Sequence, residues 1–487
     1  MSDRSAPFDI LGTFADPRSF DTGAAKLVNT RVMFRQQTEG RPGKARLIGV
    51  PGLTQISKPE NTEVLAMLNS QGTLWAVYKS GNVYRDAHTA SPILAGNVNL
   101  GGVQYPIVRL AELKTQLAIA VNYDSTGAGG KGTGYIATIA GGVVNQNFQS
   151  ALNISFDPSA VCVTDNIAVW AGGSNHYAVG QDFRMFASAV GDGGNVNALA
   201  FAAKEGRSDP LLDVMTTVRN FFAFGEDSLE MWYNSGASAN FPFVPFTNTL
   251  IDVGLANRRT LATVHGKLMW VGTDCRIWLG YAQSAQQVSP GWVDLELQKL
   301  SNESSLQELT AYMYAQGNDE FYVLTRPGHW SIGTSITNQT WFYIQSNGRP
   351  DTARRCVHDD DAIVYVGLDT GEICFVDMTT AQEPAGPLSR TIISPWVGNQ
   401  TSFHVIDEVT VTSSLGPNAG NFTLDWSEDN FTTSKGTRQI TFGQPGTRRA
   451  IARQLGSSRR RQIRLQYSGT TAPFEFDEFF GSVSGGT

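Results

Sequence analysis

Leu74–Asp86 reads LWAVY-KSG-NVYRD: an apolar strand, a three-residue connection ending in Gly81, and a second strand carrying an aromatic. Two such strands around a glycine turn read as a β-hairpin. The phrase returns six times. Its first strands are QLAIAV from Gln116, IAVWAGG from Ile167, FFAFG from Phe221, LMWVG from Leu268, FYVL from Phe321 and IVYVG from Ile363. The strands that follow are YIATI, RMFAS, LEMWY, RIWLG, WFYIQ and EICFVD. Starts fall roughly 40–55 residues apart, the length of a blade of about four strands in a β-propeller. One such unit cannot bury its apolar face alone, whereas a ring of them can. The fold class expected is mainly β, a propeller-like ring of about six to eight blades.

Outward from the repeat, the pattern changes at both ends. Residues 1–60 are punctuated by Pro7, Pro17, Pro42-Gly43 and Pro51-Gly52, with TRVMF and KARLIGV able to pair across RQQTEGRPG. They read as an extended arm or hairpin laid over a neighbouring surface. The propeller is expected over 61–390, with one short helix in Asp294–Leu309. After the prolines of Pro384–Pro395, HVIDEVTVTSS, NFTLDWS, RQITFG and RRQIRLQYSG alternate apolar and polar residues. That period of two predicts a C-terminal antiparallel β-sandwich-like domain over 391–487. Trp75, Trp170, Trp232, Trp270 and Trp278 lie inside apolar strands and should be buried between blades. GHWSIGTSITNQT (Gly328–Thr340) and DSTGAGGKGTG (Asp124–Gly134) read as polar display loops.

Composition narrows the function. Of 487 residues 41% are hydrophobic and 10% aromatic, with 50 Gly, 20 Pro and only 17% charged. Such a composition suits short strands and turns. Lys and Arg number 37 against 44 Asp and Glu, a net charge of −7, which argues against a dedicated nucleic-acid binder. Cys162, Cys275, Cys356 and Cys374 form no CxxC pair and read as buried thiols. The opening MSDRSAPFDI has no apolar signal core, and no run approaches the roughly 18 apolar residues of a membrane span. Folding in a cytoplasm, without membrane insertion, is the expectation.

Motifs for chemistry are sparse. The six histidines show no metal-ligand spacing. Asp359-Asp360-Asp361 lacks the alternation and glycine of a calcium loop and reads as a solvated turn. SEDNFT (Ser427–Thr432) resembles the Asp-box turn of sialidases without its glycine or tryptophan. GAGGKGTG (Gly127–Gly134) lacks the ending of a P-loop. No catalytic residue, metal site or cofactor is assigned. The feature above background is an arginine cluster, Arg448, Arg449, Arg453, Arg459, Arg460, Arg461 and Arg464. Strand alternation sends Arg460 and Arg464 to one face, and arginine suits carboxylate, phosphate and aromatic partners.

Several phrases in fixed order resemble the packaged-DNA stabilisation proteins, or tail hubs, of short-tailed phages. They are KARLIGVPGL (Lys44–Leu53), RMFASAVGDGGNVNALAFAAKEGRSDPL (Arg184–Leu211) and FFAFGEDSLEMWYNSGASANFPFVPF (Phe221–Phe246). IDVGLANRRTLATVHGKLMWVGTD (Ile251–Asp274) and NDEFYVLT (Asn318–Thr325) continue the order. The resemblance is firm over roughly 30–345 and weak beyond; asparagine replaces a commoner tryptophan in the second phrase and Ser228 a threonine in the third. It implies a virion protein assembled in the host cytoplasm as a ring, hexameric in the family. Its implied place is below the portal and its adaptor, where it closes the DNA exit and carries tail fibres or tailspikes and a plug or needle. Genomic DNA would pass without sequence-specific binding, and no catalytic residue carries over.

Two surfaces are candidates for contact with partners. Phe241, Phe243 and Phe246 form an FPFVPF loop stiffened by two prolines, costly to leave in water: it either meets a neighbouring subunit or packs inside its own. The arginine cluster reads as a solvated sandwich face, a contact with an acidic partner or a DNA-facing channel wall; Arg459, Arg460 and Arg464 are placed at a subunit or adaptor interface, paired with carboxylates. The competing readings are a propeller enzyme of glycosidase or sialidase type and a monomeric binding propeller. Either would remain a compact monomer or dimer where a hub forms a ring.

Overall fold

The computed structural model describes residues 6–9, 26–34, 45–122, 132–140, 144–145, 158–172, 184–204, 206–207, 209–236, 241–247, 250–281, 284–360, 362–398, 402–413, 421–441, 449–468 and 475–485. The chain divides into two compact units. One comprises 55–326 with 353–375; the other 1–54, 327–352 and 376–487.

The first unit is the propeller. Seven inner strands, each beginning one repeat, are Val64–Ser70, Ile107–Glu112, Pro158–Thr164, Leu211–Thr216, Ala262–Val264, Thr310–Gln316 and Arg354–Asp359. The strands quoted from the sequence as first are second in their sheets. Thr73–Tyr78, for example, pairs with Val64–Ser70 on one side and Asn82–Arg85 on the other. Sheets one to five are four-stranded antiparallel meanders. The sixth repeat gives this unit the hairpin Thr310–Gln316 and Asp319–Arg326. In the seventh sheet, Gly52–Ser57 comes from ahead of the first repeat to follow Arg354–Asp359, Val364–Leu368 and Ile373–Asp377.

The second strands are apolar throughout because both of their faces are covered. Trp75 and Val77 pack with Leu117, Ile119 and Val121 of the second sheet. Leu74, Ala76 and Tyr78, the alternate residues, pack with Tyr365 and Ile373 of the seventh. Ala118, Ala120 and Trp170 seal sheets two and three, Val169, Phe221 and Trp232 seal three and four, and Phe222, Phe224 and Trp270 seal four and five. Period-two alternation thus sends successive side chains into opposite seams. Trp75, Trp170 and Trp270 are fully buried and Trp232 nearly so. Trp278 is less enclosed: it packs against the seam of the fourth and fifth sheets, and its ring nitrogen donates to Asp274 at 3.1 Å.

Gly81 and Gly371 close the hairpins expected of them. Both have φ near +90° (+88° and +94°), and a Cβ there would lie 2.3 Å from the Val98 carbonyl oxygen or 2.1 Å from that of Glu60. The helix spans Gly291–Asn302, beginning three residues before the expected stretch and ending seven before its close, and buries Val293, Leu297 and Leu300 at helical spacing.

The second unit revises the expected domain boundaries. Thr30–Phe34 and Ala45–Gly49 do pair, but as part of a sheet continuing through Glu475–Gly485, His404–Ser413 and Arg449–Arg453. Lys26–Val28 lies between Thr340–Tyr343 and Ser389–Ile393 in another sheet, beside Arg460–Ser468, Asn421–Ser427 and Gly436–Thr441. The N-terminal segment is therefore woven into the C-terminal sheets. It is no arm, because its apolar positions Leu27, Val28, Val32 and Leu47 need those sheets to be buried. Gly328–Thr340, read as a loop, contains the strand Trp330–Ser335, which pairs with Thr340–Tyr343. Its alternation, with Ile332 between polar Ser331 and Thr334, is too mixed to stand out. Most of the glycine-rich display loop, residues 124–131, lies outside the described residues. No described helix is long and apolar enough to cross a membrane.

Candidate functional site

The seven inner strands surround a lumen of about 480 Å³. In sheets one, three, four and seven the inner strand skips one residue of pairing near its start, at Leu65, Ser159, Leu212 and Arg355. A bulge of this kind bends the strand and re-aims its side chains. Around these starts, at one mouth of the lumen, charged residues interrupt the apolar runs.

Asp213 is fully buried at this mouth. Its Oδ2 accepts from Arg109 Nη2 at 2.7 Å and Nε at 3.0 Å, and from Arg258 Nε at 3.4 Å. Its Oδ1 accepts from the Val214 amide at 2.9 Å. Arg258 Nη2 donates to the Ser159 carbonyl and Arg109 Nη2 to the Arg258 carbonyl, both at 2.7 Å. One cluster thereby ties the second, third, fourth and fifth sheets. Burial opposes ionisation of Asp213, but Arg109 and Arg258 outweigh it and hold the carboxyl below its usual range.

Glu63, Arg259 and Arg355 line the lumen, Arg259 directly following Arg258 of that cluster. Arg259 Nη2 is 3.6 Å from Glu63 and Arg355 Nε 3.9 Å, while Lys79 approaches the same carboxylate only to 3.7 Å. Arg355 also bonds Asp369 at 2.8 Å. The Arg259 guanidinium lies 5.3 Å from the centre of the Tyr105 ring. Burial lowers the pKa of Arg259; Glu63 opposes this and Arg355 adds to it.

At the opposite mouth, Asp359 accepts from the Ala315 amide at 2.5 Å and Asp360 from Asn69 at 2.6 Å. Those two carboxylates therefore join strand ends of neighbouring sheets, while Asp361 lies outside the described residues. Burial holds His358 below its ordinary pKa, opposed by the two aspartates. Between the mouths, burial pushes Cys162 up to about 12 and raises Cys356, keeping both thiols protonated. The sequence reading missed the basic mouth. Its signal was a single charge inside an apolar strand, as in IVRLAE (Ile107–Glu112) and LLDVMT (Leu211–Thr216).

The sequence matches, over residues 106–381, the family described as "Phage_stabilise: Bacteriophage P22 Gp10, beta-propeller". The chain belongs to that family. It is a bacteriophage structural protein with a β-propeller fold, as the ordered phrases implied. No curated protein matches the chain. Among solved structures, the computationally designed Ika8 protein is 11% identical, covering 66% of this chain and 99% of its own, with a TM-score of 0.38. Virginiamycin B lyase from Staphylococcus aureus is 9% identical over 66% and 98%, at 0.43. Both likenesses are too distant to bear on function.

In this phage protein the two surfaces expected to meet partners fare differently. Phe243–Pro245 is the outer strand of the fourth sheet, paired with Leu229–Asn234. Phe243 is 2% exposed and packs edge-on against Phe221, so it is corrected from surface anchor to core residue. Phe241 lies edge-on to Trp232, Phe246 lies against Tyr233, and both are half-buried. The prolines shape a strand end here and leave no free loop.

Arg464 finds its carboxylate within its own chain. It bonds both oxygens of Asp425 on the paired strand and lies over Phe431. Arg461 is buried and pairs with the exposed Glu428, and Arg449 and Arg453 share Glu408; Arg448 lies outside the described residues. Arg459, exposed, lies over Phe403, and Arg460 over Trp396 at 4.1 Å. Arg464→Glu should set two carboxylates against each other and lower the denaturation midpoint; adding Asp425→Arg should recover most of the loss. The double-mutant cycle read by denaturant unfolding checks this.

Proposed function

We propose that this chain is a subunit of the phage tail hub. Copies assemble into a ring, hexameric as the resemblance implies, below the portal and its adaptor. The ring helps retain packaged DNA and carries tail fibres or tailspikes and a plug or needle. Its role is structural and not catalytic. The observation that carries the reading is the family match over most of the propeller. The size of the lumen supports it: about 480 Å³ is the scale of a small-molecule pocket. A double helix needs far more, so retention of DNA falls to a passage formed between copies. Head-to-tail contacts that close into a ring use two different patches of each subunit. Arg459 with Phe403 and Arg460 with Trp396 offer one such patch, where guanidinium planes and aromatic faces are presented together.

Phage particles made without the chain should package DNA and then lose it, and the protein supplied in trans should restore full, infectious particles. Heads that keep their genome and infect normally without it would overturn the reading. Arg459→Glu with Arg460→Glu should leave the soluble subunit folded and weaken incorporation into particles, with a loss that depends on salt. Quantifying the protein in purified virions measures that loss.

A further inference from the structure

Arg259, at the basic mouth, has a carboxylate no nearer than 3.6 Å and an aromatic face, that of Tyr105, 5.3 Å away. It occupies a short 3₁₀ turn, Arg258–Thr260, whose backbone is pinned by Asn257: the side-chain oxygen of Asn257 accepts from the Arg259 amide at 2.8 Å. The turn thereby aims the side chain into the lumen, and Arg259 lines the cavity together with Glu63 and Arg355. The side chain is nine-tenths buried, its Nη1 is enclosed without a hydrogen-bond partner, and its closest carboxylate is 3.6 Å away. An enclosed guanidinium with an unmet donor is costly, and the bonds that satisfy it best are charge-assisted, from a carboxylate, phosphate or sulfate oxygen.

The surroundings favour an added anion over a closer approach of Glu63. Arg259, Arg355 and Lys79 all face that one carboxylate at 3.6–3.9 Å, too far for hydrogen bonds, and Arg355 is committed to Asp369. With Arg109, Arg258 and Asp213 included, the mouth carries five cations against three carboxylates. We propose that the mouth binds a small tetrahedral oxyanion of the phosphate class, bridging Arg259 and Arg355 inside the lumen. Such an ion would link the turn before the fifth sheet to the seventh sheet, beside the Asp213 cluster, which the same turn joins through Arg258. It would act as an internal brace of the ring of blades. The site is independent of hub assembly, since its groups all belong to one propeller.

Inorganic phosphate titrated into the intact protein, with ionic strength matched by chloride, should raise the melting temperature in a saturable way. Arg259→Gln should lower the phosphate affinity at least about tenfold, the scale of losing a charge-assisted bond. Glu63→Gln removes the competing carboxylate and should tighten phosphate binding, a gain that a merely damaged fold would not produce. No saturable shift in the parent protein, an unchanged affinity in Arg259→Gln, or weaker binding in Glu63→Gln would each overturn the site. So would a duplex oligonucleotide that bound with the same dependence on Arg259, since it would assign the contact to DNA.

Discussion

Asp213→Ala should cost about 3–5 kcal/mol of propeller stability, the scale of breaking a buried ion pair from one side. The carboxylate is wholly enclosed, and so is Arg258, while Arg109 is largely so. Removing Asp213 strands the wholly buried Arg258 guanidinium and the largely buried one of Arg109, and takes the central acceptor out of the cluster that ties four sheets. Asp213→Asn keeps the shape and still loses the charge, so it should fall close behind. The acid response has a definite sign. Because the folded pKa is depressed, the stabilisation is fully present above the ordinary carboxylate pKa of about 4. It is lost as pH falls through the lower, folded value. Denaturant midpoints measured from neutral to strongly acidic pH should fall for the parent protein and converge on the flatter curve of Asp213→Asn. Parallel curves would show that the cluster contributes little.

Trp270→Ala should be comparably damaging, at about 3–5 kcal/mol. The indole is fully buried in the seam of the fourth and fifth sheets and meets Phe224 edge-on at 5.4 Å. Diagonally across the strand pair sits Gly280, where a Cβ would lie only 3.1 Å from the ring, so the neighbouring strand is shaped to receive this side chain. A cavity there has rigid sheet on both sides and little means of collapse. Trp270→Phe should recover a substantial part of the loss. Equilibrium unfolding monitored by far-ultraviolet circular dichroism would read both, and a cost below about 1 kcal/mol for the alanine variant would show that the seam closes.

The ring of blades was legible because its second strands are buried on two faces. Burial on both sides removes polar residues from QLAIAV and FFAFG, and the hairpin glycines mark where each run ends. The inner strands were not legible in the same way. They border the lumen, so Thr263 and Arg109 are admitted among apolar neighbours, Asp213 is buried against its two arginines, and the pairing is interrupted by bulges. The arrangement of Arg109, Arg258 and Asp213 joins positions over a hundred residues apart. Nothing local in the sequence announces it. The N-terminal strands were misread for a related reason. Their partners, Glu475–Gly485 and Ser389–Ile393, lie at the far end of the chain, and proline-rich connections disguised strands as an arm. The arginine cluster misled because alternation predicts the face of Arg464 but not that Asp425 waits opposite on the adjacent strand.

The seventh sheet also sets a schedule for synthesis. Gly52–Ser57 emerges early from the ribosome, yet the strands it joins end at Asp377. At about 5–20 residues per second, that strand waits for tens of seconds before its partner exists. Throughout that interval the growing protein is an open arc of blades with an unsatisfied strand at its leading end, exposed to the same strand of other nascent copies. A phage that makes this protein in a crowded burst needs the last blade to arrive before those copies find each other.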